Sequence, residues 1–201
     1  MPISSPPFAN KAFKIIPSCL LAVGLQMLSA GAQELLTNGG FETGGLLDGG
    51  NGWTKTPGYG EVVSFTAHDG SFSYSSDSTM LRQTIASSPG LGYDISFWLA
   101  NPYGDDQCSF IVKWGGATVY SLDPAPGDPD LSFNWRQVSI PNQLASGSST
   151  VLEFTFYNPP DFYYLDSVSV TAAPVPEPET YALGVGLGLA GFAAFRRFRR
   201  S

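Results

Sequence analysis

The chain is short of the residues on which most catalytic and metal chemistry depends. Its 201 residues include two cysteines and one histidine. Cys19 falls inside an apolar run near the N-terminus, which leaves Cys108 alone in the rest of the chain. No intrachain disulfide can form there, and no CxxC pair is present. Zinc sites draw their ligands from clustered Cys and His, so they are excluded. A hydrolase triad would have to use His68. The right residue types occur together only in His68-Asp69-Gly70-Ser71, and neighbours in sequence rarely face one another as nucleophile, base and orienter. Acid pairs for glycoside hydrolysis are numerous, but no spacing singles one out. Basic residues are also scarce where they would matter. Only Lys55, Arg82, Lys113 and Arg136 lie between residues 33 and 174, against 15 of the 17 acidic residues, a net of −11. Such a surface repels a phosphate backbone and argues against nucleic acid as a partner. It suits cations and neutral partners such as sugars.

The two ends carry the long apolar runs. Lys11 and Lys14 precede Ile15–Leu28, and Ala30-Gly31-Ala32 follows with small residues at A-x-A positions. This is the layout of a secretory signal peptide over residues 1–32, with cleavage after Ala32. At the other end Val175-Pro176-Glu177-Pro178-Glu179 precedes an apolar, glycine-rich stretch, Tyr181–Phe195, and then Arg196, Arg197, Arg199 and Arg200. The basic cluster belongs on the cytoplasmic side, which puts the acidic middle outside. A transmembrane helix over 181–195 is short against the ~20 residues a bilayer core requires, which suits a transient, processed segment. Gly184-x-Gly186-x-Gly188 is no nucleotide loop, because no βαβ unit surrounds it. The triplet Pro176, Glu177, Pro178, the apolar stretch and the arginines stand in an order that resembles the PEP-CTERM sorting signal of exopolysaccharide-producing Gram-negative bacteria, over residues 175–200. The resemblance implies recognition by an exosortase, a membrane-embedded protease, with the chain held in the membrane by its C-terminal helix before processing. Residues 174–201 form this sorting segment, and the working domain is 33–173.

That domain shows no amphipathic helical stretch of useful length. It shows short alternating runs bounded by Gly, Pro, Asn and Asp. The pattern predicts strands at Glu61–Thr66, Ser71–Ser75, Met80–Ala86, Tyr93–Ala100, Cys108–Trp114, Thr118–Leu122, Trp135–Pro141, Val151–Tyr157 and Tyr163–Thr171. The fold class is all-β, a two-sheet jelly-roll sandwich. Period-two alternation turns Tyr93, Ile95, Phe97 and Leu99 inward and Asp94, Ser96 and Trp98 outward. Leu152, Phe154 and Phe156 point in, and Glu153, Thr155 and Tyr157 point out. Arg136 shares the inward face of Val138 and Ile140. Trp114 and Trp135 are expected in the core, as is Cys108.

Three short motifs occur in order: Asn38-Gly39-Gly40-Phe41-Glu42, His68-Asp69-Gly70-Ser71 and Leu165-Asp166-Ser167-Val168-Ser169-Val170. Together they resemble the galactose-binding-like β-sandwich of many carbohydrate-binding modules. The resemblance implies a structural calcium ion tying the first segment to the last strand, with Glu42 and Asp166 as carboxylate ligands, Gly40 giving a carbonyl, and the turn ending at Ser71 giving another. His68 stands where some relatives have a carboxylate. For a sugar, the expected site is Trp98 as stacking platform with Asp94 and Ser96 beside it. Lys113, Glu153 and Tyr157 would share that face, with Tyr103, Asp105 and Asp106 in the next loop. The expected function is that of an exported, non-enzymatic surface or matrix protein that associates with exopolysaccharide. The alternatives are a structural or adhesive matrix protein without a sugar site, and a small extracytoplasmic glycan hydrolase.

Overall fold

The structure is a computed structural model, which describes residues 33–43, 51–128 and 131–174, together with Phe192, Phe195, Arg196 and Arg199 of the tail. The expected signal peptide, the Pro176-Glu177-Pro178 triplet, Arg197, Arg200 and most of the expected span lie outside the described residues. Among the described residues no helix is long and apolar enough to cross a membrane.

Ten strands follow one another: β1 (Thr54–Lys55), β2 (Gly60–Val63), β3 (Ser73–Ser76), β4 (Met80–Ala86), β5 (Gly92–Asn101), β6 (Ser109–Trp114), β7 (Ala117–Leu122), β8 (Phe133–Leu144), β9 (Ser149–Tyr157) and β10 (Tyr163–Ala172). They form two five-stranded antiparallel sheets, in the orders β1-β4-β9-β6-β7 and β2-β3-β10-β5-β8. From β3 onward the chain crosses repeatedly between sheets. Each sheet therefore buries one face on the other, and each keeps an outer face.

The alternation seen in the sequence becomes the core. Tyr93, Ile95, Phe97 and Leu99 of β5 face Phe110, Leu152, Phe154 and Phe156 of the other sheet, all buried. Phe97 packs edge-on to Phe154 with ring centroids 5.3 Å apart, and Phe110 packs on Phe156 at 5.2 Å. These separations are the favoured tilted arrangements of aromatic pairs. Arg136 does share the inner side of β8, where its guanidinium lies 4.1 Å over the Phe133 ring. Trp114 is buried and donates its indole N–H to the Leu144 carbonyl. Trp135 departs from expectation: it is only half-buried. Its alternation explains this, because it is out of phase with inward-facing Val138 and Ile140.

β10 carries the one irregularity that shapes the site. Asp166 pairs with Trp98 and Ser169 pairs with Ser96, so β10 has an extra residue there. Ser167 takes the strain with φ +49°. The bulge shifts the strand's phase, which turns Leu165 before it and Val168 and Val170 after it all into the core. Without it the two valines would face outward.

Candidate functional site

The N-terminal segment runs beside β10 and is tied down by backbone and carboxylate bonds. Leu35 and Val168 donate N–H groups to the carbonyls of Val170 and Gly39, both at 2.9 Å. Glu42 Oε1 accepts from the N–H groups of Ser71 and Phe72 at 2.9 Å each. Asp166 Oδ2 accepts from those of His68 at 2.8 Å and Asp69 at 3.1 Å. Two carboxylates, one from each end of the domain, thus clamp the turn 68–72 between them. Asp166 is 0% exposed. Burial pushes its carboxyl above the ordinary value, while the N–H donors of Asp69, His68 and Ser167 pull the other way. The structure brings Gly40, Glu42, Ser71 and Asp166 together, with Gly40 beside both acidic side chains. Ser71 takes part as an N–H donor. Among the described residues no group of three or more His, Cys, Asp and Glu side chains could hold a metal. The oxygen donors seen here are the two carboxylates, hard oxygens of the class that calcium takes.

The clamped turn places His68 on Trp98. The two rings stack with centroids 3.7 Å apart and planes 14° apart, and Trp135 stands edge-on to His68 at 6.0 Å. One face of Trp98 is therefore already covered, and Trp98 is not the open platform expected of it. A second correction concerns grouping. Asp94, Ser96 and Trp98 lie on β5, and Asp94 Oδ1 accepts the Asn142 N–H at 2.8 Å. Lys113 and Tyr157 lie on β6 and β9 of the other sheet, where Lys113 pairs with Glu153 at 3.3 Å. The five residues are divided between two outer faces on opposite sides of the sandwich. Alternation separates inside from outside, but it does not say which of two outsides a strand presents.

Beside the His68–Trp98 stack, the same sheet carries an open groove of about 290 Å³. Its walls are Phe65 and Thr66 from the β2–β3 connection, Pro102 and Tyr103 after β5, Asn134 and Trp135 of β8, and Tyr164 of β10, with small Ala100 among them. Phe65 is 75% and Tyr103 70% exposed. Phe65 meets Tyr164 edge-to-face at 6.1 Å. None of the lining residues is charged.

Polar contacts hold the walls. Asn101 donates to the Leu131 carbonyl at 2.9 Å and accepts from Asn158 at 2.8 Å. Ser132 Oγ donates to the Pro102 carbonyl at 2.7 Å. Gly104 lies so close to Leu131 O and Asn101 Nδ2 that a side chain there would overlap both. The Phe65–Thr66 wall is fixed by the Ser73 hydroxyl, which donates to the Thr66 carbonyl at 2.7 Å. Aromatic faces among an amide and hydroxyls can stack on the C–H faces of a sugar ring and pair with its hydroxyls. Of these residues the sequence points to Tyr103 only. Alternation carries the signal for two more: Trp135 alternates with Val138 and Ile140, and Tyr164 lies between inward Tyr163 and Leu165.

No curated protein matches the chain. Residues 174–200 match a model described as the PEP-CTERM protein-sorting motif. The tail is a PEP-CTERM sorting motif. It points to export and a cell-surface location, with exosortase processing implied. The described domain superposes on TmCBM61, solved in complex with β-1,4-galactotriose, at TM-score 0.52 and 20% identity, covering 70% of this chain and 99% of that one. The CBM22-1 xylan-binding domain of Paenibacillus barcinonensis Xyn10C gives 0.50 and 16%, covering 72% and 97%. The Stig cyclase Fisc from Fischerella sp. TAU gives 0.51 and 14%, covering 72% and 100%. The sandwich therefore has the fold of carbohydrate-binding modules. At these identities the likeness is one of fold, and a cyclase shares it, so function has to be argued from the site.

Proposed function

We propose that the exported protein is a non-enzymatic surface or matrix component that binds polysaccharide in the groove formed by Phe65, Tyr103, Trp135 and Tyr164. The observation that carries this reading is the convergence of four aromatic side chains from four separate segments around one open groove. Large exposed aromatic surface is costly to leave in water and marks a binding site when it is contiguous. A hydrolase is disfavoured by the same lining, which holds no carboxylate to serve as acid or nucleophile. The clamp at Glu42 and Asp166 would hold a calcium ion with the Gly40 and His68–Ser71 main chain. Its role would be structural: it would fix the turn that seats His68 on Trp98 beside the groove.

The test is a glycan array with the purified exported protein, followed by titration with Tyr103→Ala/Trp135→Ala and, separately, Tyr157→Ala. Removing two stacking rings should weaken binding by about tenfold or more, while Tyr157→Ala binds as wild type. Loss of binding in Tyr157→Ala alone would move the site to the opposite sheet. Absence of binding to any glycan would leave the adhesive matrix protein as the better account.

A further inference from the structure

A second groove, of about 430 Å³, opens where the chain leaves the sandwich. Leu91 just before β5 and Gly92 and Asp94 at its start line it with Asn142 and Leu144 at the end of β8, and Ala173 just past β10. Leu144 is 65% and Leu91 41% exposed. The frame around these two leucines is held by hydrogen bonds. Gly90 N–H donates to the Ala145 carbonyl at 2.8 Å, Ala145 N–H to that of Leu91 at 3.0 Å, and Ala173 N–H to that of Gly92 at 2.9 Å. Pro174, the next residue, lines the groove and is also the first residue of the sorting motif.

Chain length decides what can reach this surface. Pro174 to Glu177 is three residues, which span at most about 10 Å when fully extended. Any protein body that closes on the Pro176-Glu177-Pro178 triplet must therefore come up against this end of the sandwich. The two exposed leucines stand there, on a frame already ordered, so contact costs little conformational entropy.

We propose that this groove is a docking surface for the membrane protease that processes the sorting motif, with Leu91 and Leu144 as its apolar anchors. The proposal rests on the reading of residues 174–200 as a processed signal, and is independent of the glycan groove. The protease then reads a composite substrate, a short peptide plus a folded edge. The folded edge raises the local concentration of the triplet at the active site.

The experiment is pulse-chase conversion of the full-length precursor in a host that carries the protease. The variants are Leu91→Asp/Leu144→Asp, Leu91→Arg/Leu144→Arg and Tyr157→Asp, plus an insertion of about ten Gly and Ser residues between Ala173 and Pro174. Both leucine pairs are surface residues, so thermal melting of each variant should match wild type. Conversion is expected to slow about tenfold or more in both leucine variants, to slow in the insertion variant, and to be unchanged in Tyr157→Asp. Wild-type conversion in the leucine variants, with Glu177→Ala still blocking it, would overturn docking and leave the sorting reading standing. Conversion abolished with Asp but kept with Arg would assign the surface to an anionic bilayer, which attracts added cations, and would also overturn the proposal. A wild-type precursor that is never converted would remove both readings. If a leucine variant melts early, the insertion decides, and wild-type conversion there again overturns docking.

Discussion

Replacing Gly104 by alanine couples the stability of the domain to its proposed binding groove. The glycine has no room for a methyl group, because Leu131 O and Asn101 Nδ2 already occupy that space. Leu131 O is a backbone atom and Asn101 is buried, so neither can turn away into solvent. The segment must shift instead. The shift breaks the Asn101–Leu131 bond and strains the Asn101–Asn158 bond, now 2.9 and 2.8 Å. Overpacking costs about 1–3 kcal/mol, and each buried amide left unsatisfied about 1–3 kcal/mol more. The expected total is about 3–5 kcal/mol, a large part of the roughly 5–15 kcal/mol that holds a domain together. Tyr103 precedes Gly104, so the same shift moves one wall of the groove. Urea unfolding followed by tryptophan fluorescence reads the first effect, and glycan titration well below the midpoint reads the second. Gly147→Ala is the control: it meets only ordinary contacts, with Ser149, and should change stability by less than about 1 kcal/mol. If Gly104→Ala unfolds at the same urea concentration as Gly147→Ala and binds glycan as wild type, the account of this loop is wrong.

Asp166→Ala strips the partner from two backbone N–H groups of the turn and should destabilise by about 2–5 kcal/mol, with Asp166→Asn intermediate; chemical denaturation checks the order. If calcium is held there, adding it should raise the melting temperature of wild type, chelator should lower it, and Glu42→Gln should blunt the difference. Burial pushes the Tyr74 phenol up to about 12, and moves Tyr163 in the same direction. The folded state therefore keeps a proton that the unfolded chain releases near pH ~10. The stability linked to Tyr74 is complete below that pH and is lost between pH ~10 and about 12, by about 2–3 kcal/mol. An alkaline titration should show these tyrosines ionising only with unfolding, and early tyrosinate absorbance in a folded sample would contradict it.

Most of the strands are legible in the sequence because local pattern controls them. Met80–Ala86 has the bounds that alternation assigns, and the eight other expected strands each lie within a few residues of an observed one. β1 is not legible: two residues paired to β4 are too short to show a period. What cannot be read locally is the pairing of strands. The assignment of β5 to one sheet and of β6 and β9 to the other comes from contacts distant in sequence. This is why alternation alone groups Trp98 and Lys113 on one face. The stack of His68 on Trp98 is a contact of the same kind, made possible by a carboxylate from the last strand. The bulge at Ser167 disturbs alternation as well, in the strand that forms both the clamp and one wall of the groove. Trp135 is different. Its outward phase is visible from Val138 and Ile140, but the general tendency of tryptophan to be buried argues the other way, and here the phase wins.

β10 links the two surfaces that matter. It enters at the aromatic groove, where Tyr164 pairs with Ala100, and leaves at the second groove, where Ala173 bonds to Gly92. Nine residues at about 3.3 Å each separate these points by roughly 30 Å. The sorting motif departs from one end of the strand and the proposed binding groove lies at the other. A body engaged on the tail therefore does not obstruct the groove, and a polysaccharide chain in the groove does not cover the tail. β10 is a central strand, paired with β5 along its length and with β3 at its start, which holds the two points apart. The two proposals, processing at the tail and binding in the aromatic groove, both require such a polarity. Here it follows from the antiparallel course of a single strand.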